Sequence, residues 1–332
     1  METITDRVEA GNLDRIPLVV KDVLRLILGL SALLAGLLLA AVFLSEGAVH
    51  IPANLRVAAS PEIASRLAAE YKAGWENASL RTADGATLHG WYFQPDAWNR
   101  ATVILLHGVA DSRLGMMGHA GLLLRHGYAV LAPDARGHGS SGGGLTGYGA
   151  LEARDVQLWA DWNYGRHPPR VLYGWGASMG ASVLLQALPL EHRFCAAIAE
   201  SPFSTFRDVA YHRVGQRLGL SQQAAKWALF ALVEPALWYA WARYGIDLRI
   251  ASPAGALRRV ETPVLLIHGS ADTNIPILHS RAIYAARPVH TELWEVEGAL
   301  HTQAMSIAPL EYERRVLHLF RVPSSGREVL RG

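Results

Sequence analysis

The sequence predicts an α/β fold: a mainly parallel central sheet with helices on both faces, a helical cap insertion, and one transmembrane helix ahead of the sheet. Three observations carry that expectation. After residue 100, short apolar runs closed by Gly, Asp or Ser alternate with longer stretches of helical composition. Strands that are apolar along their whole length belong to sheets covered on both faces, and a helix between successive strands makes them parallel. Residues 204–250 interrupt this alternation with helical sequence and no strand, and residues 26–44 carry no charged side chain.

Taken in order, the first element is the apolar run 26–44, LILGLSALLAGLLLAAVFL, in which Ser31 is the only polar side chain. A helix of that length spans about 28 Å, close to the hydrocarbon thickness of a bilayer. A helix buried in a soluble core normally keeps a polar stripe, which this one lacks. Ser45-Glu46-Gly47 is a passable cleavage site. The run is nevertheless long for a signal peptide, so an uncleaved anchor is expected. Arg7, Arg15, Lys21 and Arg25 precede it, and Arg56 is the first Lys or Arg after it. The positive-inside rule then puts the N-terminus in the cytoplasm and the large domain outside it. Ala32, Gly36 and Ala40 recur at four-residue spacing and offer a face for weak pairing with a second copy.

Residues 45–75 read as a connector containing one helix that starts near Pro61. Strand runs at 79–82 and 87–93 flank Asp84-Gly85, a hairpin turn signal. Strand runs follow at 101–108, 128–134, 170–175, 196–201, 263–269 and 291–296, with helical stretches at 114–126, 151–164 and 179–188. In the insertion, 227–245 contain Trp227, Phe230, Trp238, Tyr239 and Trp241, and Pro235 is expected to break or kink the helix. The organisation expected is a cytoplasmic segment (1–25), a transmembrane helix (26–44), a juxtamembrane connector (45–75), the α/β domain (76–322, cap about 204–250) and a tail (323–332).

Lys and Arg number 31 against 29 Asp and Glu, with no block of like charge, which argues against a nucleic-acid partner. The single cysteine, Cys195, excludes an intrachain disulfide and a Cys-based zinc site, and in its apolar run it reads as a small buried hydrophobe. Neither metal-ligand spacing nor a phosphate-cradling GxxxxGK[ST] occurs, so no cofactor is expected.

The chemistry lies in G-x-S-x-G, which occurs twice. Context decides between the copies, because the motif needs a strand leading in and a helix leading out. Gly139-Ser140-Ser141-Gly142-Gly143 starts several residues after its strand and runs into glycine, so Ser141 reads as a loop residue. Gly176-Ala177-Ser178-Met179-Gly180 follows RVLYGW directly and opens a helix that stops at Pro189. The turn lifts the Ser178 hydroxyl clear of the sheet, and the helix start directs N–H groups at a developing oxyanion. A serine hydroxyl needs a base. Asp272 and His301 each sit just past a strand end, and the order Ser, Asp, His matches the partners of such a nucleophile. His301 is assigned general base then acid, and Asp272 orients it. The oxyanion donors expected are the backbone N–H groups of Met179 and Val109, with Ala110 one residue from the second. His107, His138 and His268 adjoin Gly at strand ends and read as structural. Asp134 and Arg136 read as loop-fixing, and Glu200 is an alternative acid.

From about residue 78 to 320 the chain resembles the α/β-hydrolase superfamily, in its serine-aminopeptidase-like and prolyl-oligopeptidase-like group. The resemblance rests on TADGATLHGWYFQP, ILLHG, PDARGHGSSGG, GWGASMGA, LLIHGSADTNIP and EGALHT, in order and at ordinary spacing. It implies hydrolysis of an ester, thioester or amide through an acyl-enzyme, without fixing the substrate. Carboxylic ester hydrolysis is the leading expectation, with an apolar, lipid-like acyl substrate suggested by the Trp-rich cap. Peptide hydrolysis, acyl transfer and a non-catalytic binding role on the same fold remain open alternatives.

Overall fold

A computed structural model describes residues 18–52 and 59–321. Arg7, Arg15, Arg56 and the tail 323–332, invoked above, lie outside the described residues. The chain opens with α1 (Leu18–Val49), a helix long and apolar enough to cross a membrane. Its 32 residues correspond to about 48 Å. It continues past Leu44 through Ser45, Glu46 and Gly47. Ala32, Gly36 and Ala40 are exposed along it.

There follow α2 (Pro61–Glu70), β1 (Ala73–Arg81), β2 (Thr87–Pro95), β3 (Ala101–Leu106), α3 (Met117–Arg125), β4 (Ala129–Pro133), α4 (Glu152–Arg166), β5 (Val171–Ala177), α5 (Met179–Ala187) and β6 (Phe194–Glu200). The insertion comprises α6 (Phe206–Arg217), α7 (Gln222–Ala228) and α8 (Phe230–Tyr244). The chain closes with α9 (Pro253–Leu257), β7 (Val264–Gly269), α10 (Leu278–Ala286), β8 (Thr291–Val296), α11 (Ala304–Ile307) and α12 (Pro309–Arg321).

Among the described residues, eight strands form one sheet in the order β1-β2-β4-β3-β5-β6-β7-β8. β1 and β2 pair antiparallel, with Arg81 opposite Thr87 around the predicted Asp84-Gly85 turn. β2 also runs antiparallel to β4, and every later pairing is parallel. Every residue of β3, β4 and β7 is buried, as continuous apolar runs require of strands covered on both faces. Alternate side chains enter two cores: Val103 and Leu105 join Trp91, Phe93 and Tyr312 on one face, while Ile104 and Leu106 join Tyr92, Trp159 and Leu184 on the other.

The helical insertion has its own core, built on Phe203, Phe206, Val233, Leu237 and Ile275, and Val49 of α1 belongs to it. Pro235 does not end its helix. It lies inside α8, and the chain breaks at Leu229 instead. The carbonyl that Pro235 leaves unbonded is that of Ala231, an exposed residue, so water can satisfy it. Glu234 is nearly buried and is matched by Arg207 Nε at 2.6 Å and Tyr211 Oη at 2.8 Å.

Candidate active site

Ser178 stands between the end of β5 and the start of α5, with φ 54° and ψ −115°. That positive φ is unfavourable for a residue with a Cβ and persists because the turn is pinned from both sides. Ser178 N–H donates to Glu200 O at 2.8 Å, and Ser182 N–H returns to Ser178 O at 3.2 Å. The flanking glycines permit the close packing. A Cβ on Gly180 would run into the Leu106 carbonyl and lie 2.6 Å from His107 O.

His301, on the loop after β8, places Nε2 2.8 Å from Ser178 Oγ and Nδ1 2.7 Å from Asp272 Oδ2. A carboxylate only accepts, so Nδ1 carries the proton and Nε2 is left to accept from the serine hydroxyl. Asp272, after β7, is fully buried, and its Oδ1 accepts from the N–H groups of Asn274 and Ile275 at 2.8 and 2.9 Å. Burial pushes its acidity down. The hydrogen bonds of His268 and His301, the His301 charge and the Ile275 amide outweigh burial and hold the carboxyl well below the usual range.

The strand-end segment His107-Gly108-Val109 lies beside the serine, since a Cβ on Gly108 would sit 3.4 Å from Ser178 Cβ. His107 Nε2 accepts from Ala135 N–H at 2.9 Å, so Nδ1 is the donor to Gly108 O at 2.7 Å. In a trans peptide the Val109 N–H points opposite to that carbonyl, hence away from His107. Met179 N–H, at the first position of α5, has no acceptor within its own helix.

The other sequence candidates are occupied elsewhere. Ser141 Oγ donates to Asp134 O at 2.8 Å and accepts from His89 N–H at 2.9 Å. Asp134 receives Arg113 and Ser140, while Arg136 forks onto Asp155 and reaches Asp84. Glu200 accepts from Tyr312 Oη at 2.5 Å, and His138 Nδ1 meets Arg136 O. Cys195 is a free thiol and only partly buried.

Ser178 and Met179 line a cavity of about 380 Å³ roofed by the insertion. Phe206, Val233 and Leu237 make its walls apolar, and Arg213 and Arg217 are its only charged lining residues. Neither arginine has a carboxylate partner among the described residues. Arg213 reaches Asn274 O and Gln216 Oε1, both at 3.4 Å, and feels the Asp272 charge at longer range. Burial and the charge of Arg217 hold the Arg213 guanidinium below its ordinary range. The two arginines were missed in sequence, although their four-residue spacing within a helix puts them on one face.

The fold and the comparisons define a serine hydrolase. A model of the serine aminopeptidase S33 family matches residues 97–242, which include Ser178 but end before Asp272 and His301. The Pyrococcus furiosus esterase PF2001 is similar in structure, with a TM-score of 0.63 and 25% identity over 76% of this chain and 92% of that one. The uncharacterized protein YqkD of Bacillus subtilis is 28% identical over 71% of this chain and 76% of its own length. The lysophosphatidylserine lipase ABHD12 of Danio rerio is 26% identical over 63% of this chain, which spans about half of that relative (52%). The chain has the α/β-hydrolase fold.

Proposed function

We propose that this chain is a membrane-anchored carboxylic ester hydrolase acting through Ser178, His301 and Asp272 on an amphiphile with a long acyl chain and an anionic leaving group. Ser178 Oγ attacks the acyl carbon as His301 Nε2 takes its proton. Met179 and Val109 N–H groups receive the oxyanion, and Asp272 stabilises the imidazolium. Collapse expels the alcohol, which leaves with the proton from His301. Water, deprotonated by the same nitrogen, then attacks the acyl-enzyme and releases the acid.

The observation that carries the reading is the unbroken Ser178–His301–Asp272 hydrogen-bond chain at an apolar cavity lined by two arginines that make no ion pair among the described residues. Apolar walls suit an acyl chain, and the guanidinium pair suits phosphate or carboxylate. The similarity to a lysophosphatidylserine lipase supports the same substrate class. The match to a serine aminopeptidase model favours peptide hydrolysis as the second reading. Against it, a protonated amino terminus would meet two arginines and no carboxylate among the lining residues. The anchor is α1, with the catalytic domain on the extracytoplasmic side.

A fluorophosphonate probe tests the nucleophile: the full chain is labelled, and Ser178→Ala is not. Equal labelling of both proteins would remove Ser178 from its role. p-Nitrophenyl esters of graded length, run beside aminoacyl amides, separate esterase from peptidase. A C-terminal reporter found in the cytoplasm would overturn the orientation.

A further inference from the structure

The wall of the cavity is not made by the catalytic domain alone. Phe43, Leu44, Ser45, Gly47 and Ala48 of α1 line the same space as Ser178. These residues begin where the uncharged run ends. Along that run Leu33, Leu34, Leu38 and Leu39 are 49–62% exposed, with no protein covering them. Then Ala41, Ser45 and Val49 become buried at four-residue spacing, the stripe a helix turns toward one neighbour. That neighbour is α8. The helix therefore passes from bare to protein-packed within about two turns, at the level of the cavity.

Hydrogen bonds hold it there. Tyr239 and Tyr244 of α8 both donate to Glu46 Oε1, at 2.9 and 2.6 Å. From the loop before α4, Tyr148 Oη donates to Ala48 O at 2.9 Å and Thr146 N–H to Val49 O at 2.8 Å. Cap and body thus both grip the last turns of α1. Gly47 leaves open space, since beyond its chain neighbours and its own helix backbone no heavy atom lies within 4 Å of where its Cβ would be. Ser45 Oγ is buried without a hydrogen-bond partner among the described residues. On the flank of the insertion, Trp227, Phe230, Trp238 and Trp241 are 47–86% exposed. Tryptophan in that setting suits the headgroup layer of a bilayer, one end apolar and one end wet.

We infer that the anchor helix is itself part of the substrate site: acyl chains enter from the adjoining leaflet past Phe43, and residues 43–48 set the chain length accepted. This rests on the reading of Ser178 as nucleophile and α1 as membrane-spanning, and it adds that the anchor selects the substrate. Its determinants are the gap at Gly47 and the small side chains of Ser45 and Ala48.

The test uses the full chain in lipid vesicles and p-nitrophenyl esters from butyrate to palmitate. Gly47→Leu places a side chain in the open space without helix strain. The palmitate-to-butyrate ratio of kcat/KM is expected to fall at least about tenfold, the effect of about two methylenes losing their burial. Gly47→Ala should give a smaller fall in the same direction. Leu33→Phe, on the exposed mid-span face, should leave the ratio unchanged. A wild-type ratio in Gly47→Leu, with Ser178 still labelled by fluorophosphonate, overturns the role of α1 alone. Failure of the wild-type chain to label overturns the nucleophile, and this inference with it.

Discussion

His268 Nε2 lies 3.3 Å from Asp272 Oδ2, the same oxygen that accepts from His301. Nε2 also meets Ile275 O at 2.7 Å, and Nδ1 meets Ser280 Oγ at 2.6 Å. A carbonyl only accepts, so Nε2 carries the proton and donates it first to Ile275 O, with the carboxylate as a second, longer contact. Asp272 is thereby held ionised, buried and correctly turned. Asp272→Asn keeps the shape but presents an amide that favours the wrong imidazole tautomer. Its kcat toward p-nitrophenyl butyrate is expected to drop by about 10⁴ with KM little changed. A loss below tenfold would show that His301 is oriented by something else.

The arginine pair predicts selectivity by charge. Arg213 and Arg217 sit on one wall of the cavity without ionic partners among the described residues. In the double variant Arg213→Glu/Arg217→Glu, kcat/KM for a lysophosphatidylserine relative to the monoacylglycerol of equal chain length should fall about tenfold or more. An unchanged ratio would mean that the headgroup is not read here.

Acid weakens the base of the cap through His279. This residue is fully buried. Ser204 N–H donates to its Nδ1 at 3.2 Å, and Nε2 lies 2.8 Å from His212 Nδ1. Burial above all, then the charge of His212, pulls His279 down to about 3. Protonating Nδ1 would set an N–H against the Ser204 N–H and leave the Ser204 hydroxyl, 2.9 Å away, as its acceptor there. The folded value lies below the unfolded one, 6.5, so the fold prefers the neutral ring. The stability this contributes is complete above pH 6.5 and is lost as pH falls toward 3. At pH 5 the loss is about 2 kcal/mol. In denaturant titrations at pH 7.5 and 5, His279→Gln should lose less stability than wild type by about that amount.

Gly180 is predicted to be irreplaceable for packing reasons. A Cβ there would overlap the Leu106 carbonyl, part of the backbone of a central strand. Gly180→Ala should lower stability by about 1–3 kcal/mol in denaturant unfolding and slow fluorophosphonate labelling of Ser178. Gly118→Ala, where nothing lies within 4 Å of the added atom, serves as the neutral control.

The strands were legible in the sequence because β3, β4 and β7 are buried on both faces and so consist of continuous apolar runs. The serine turn was legible because its glycines answer a local steric demand, one that Ser141 does not meet. What the sequence left dark depends on contacts between distant segments. Pro235 does not break its helix because a helix can tolerate a proline when the orphaned carbonyl faces water, and exposure is a tertiary property. The meeting of Glu46 with Tyr239 and Tyr244 spans nearly two hundred positions and leaves no local pattern. The arginine wall was invisible because which exposed residues of α6 border the cavity is set only once the cap is folded.

With α1 read as the membrane anchor, the grip of the cap on its last turns also sets how rate should be counted. An enzyme whose substrate site is continuous with its anchor stays on one surface and meets its substrate by diffusion in two dimensions. The governing quantity is then mole fraction in the leaflet rather than molarity in the suspension. Diluting proteoliposomes with buffer should leave turnover per enzyme constant, whereas diluting the substrate lipid with inert lipid should lower it in proportion.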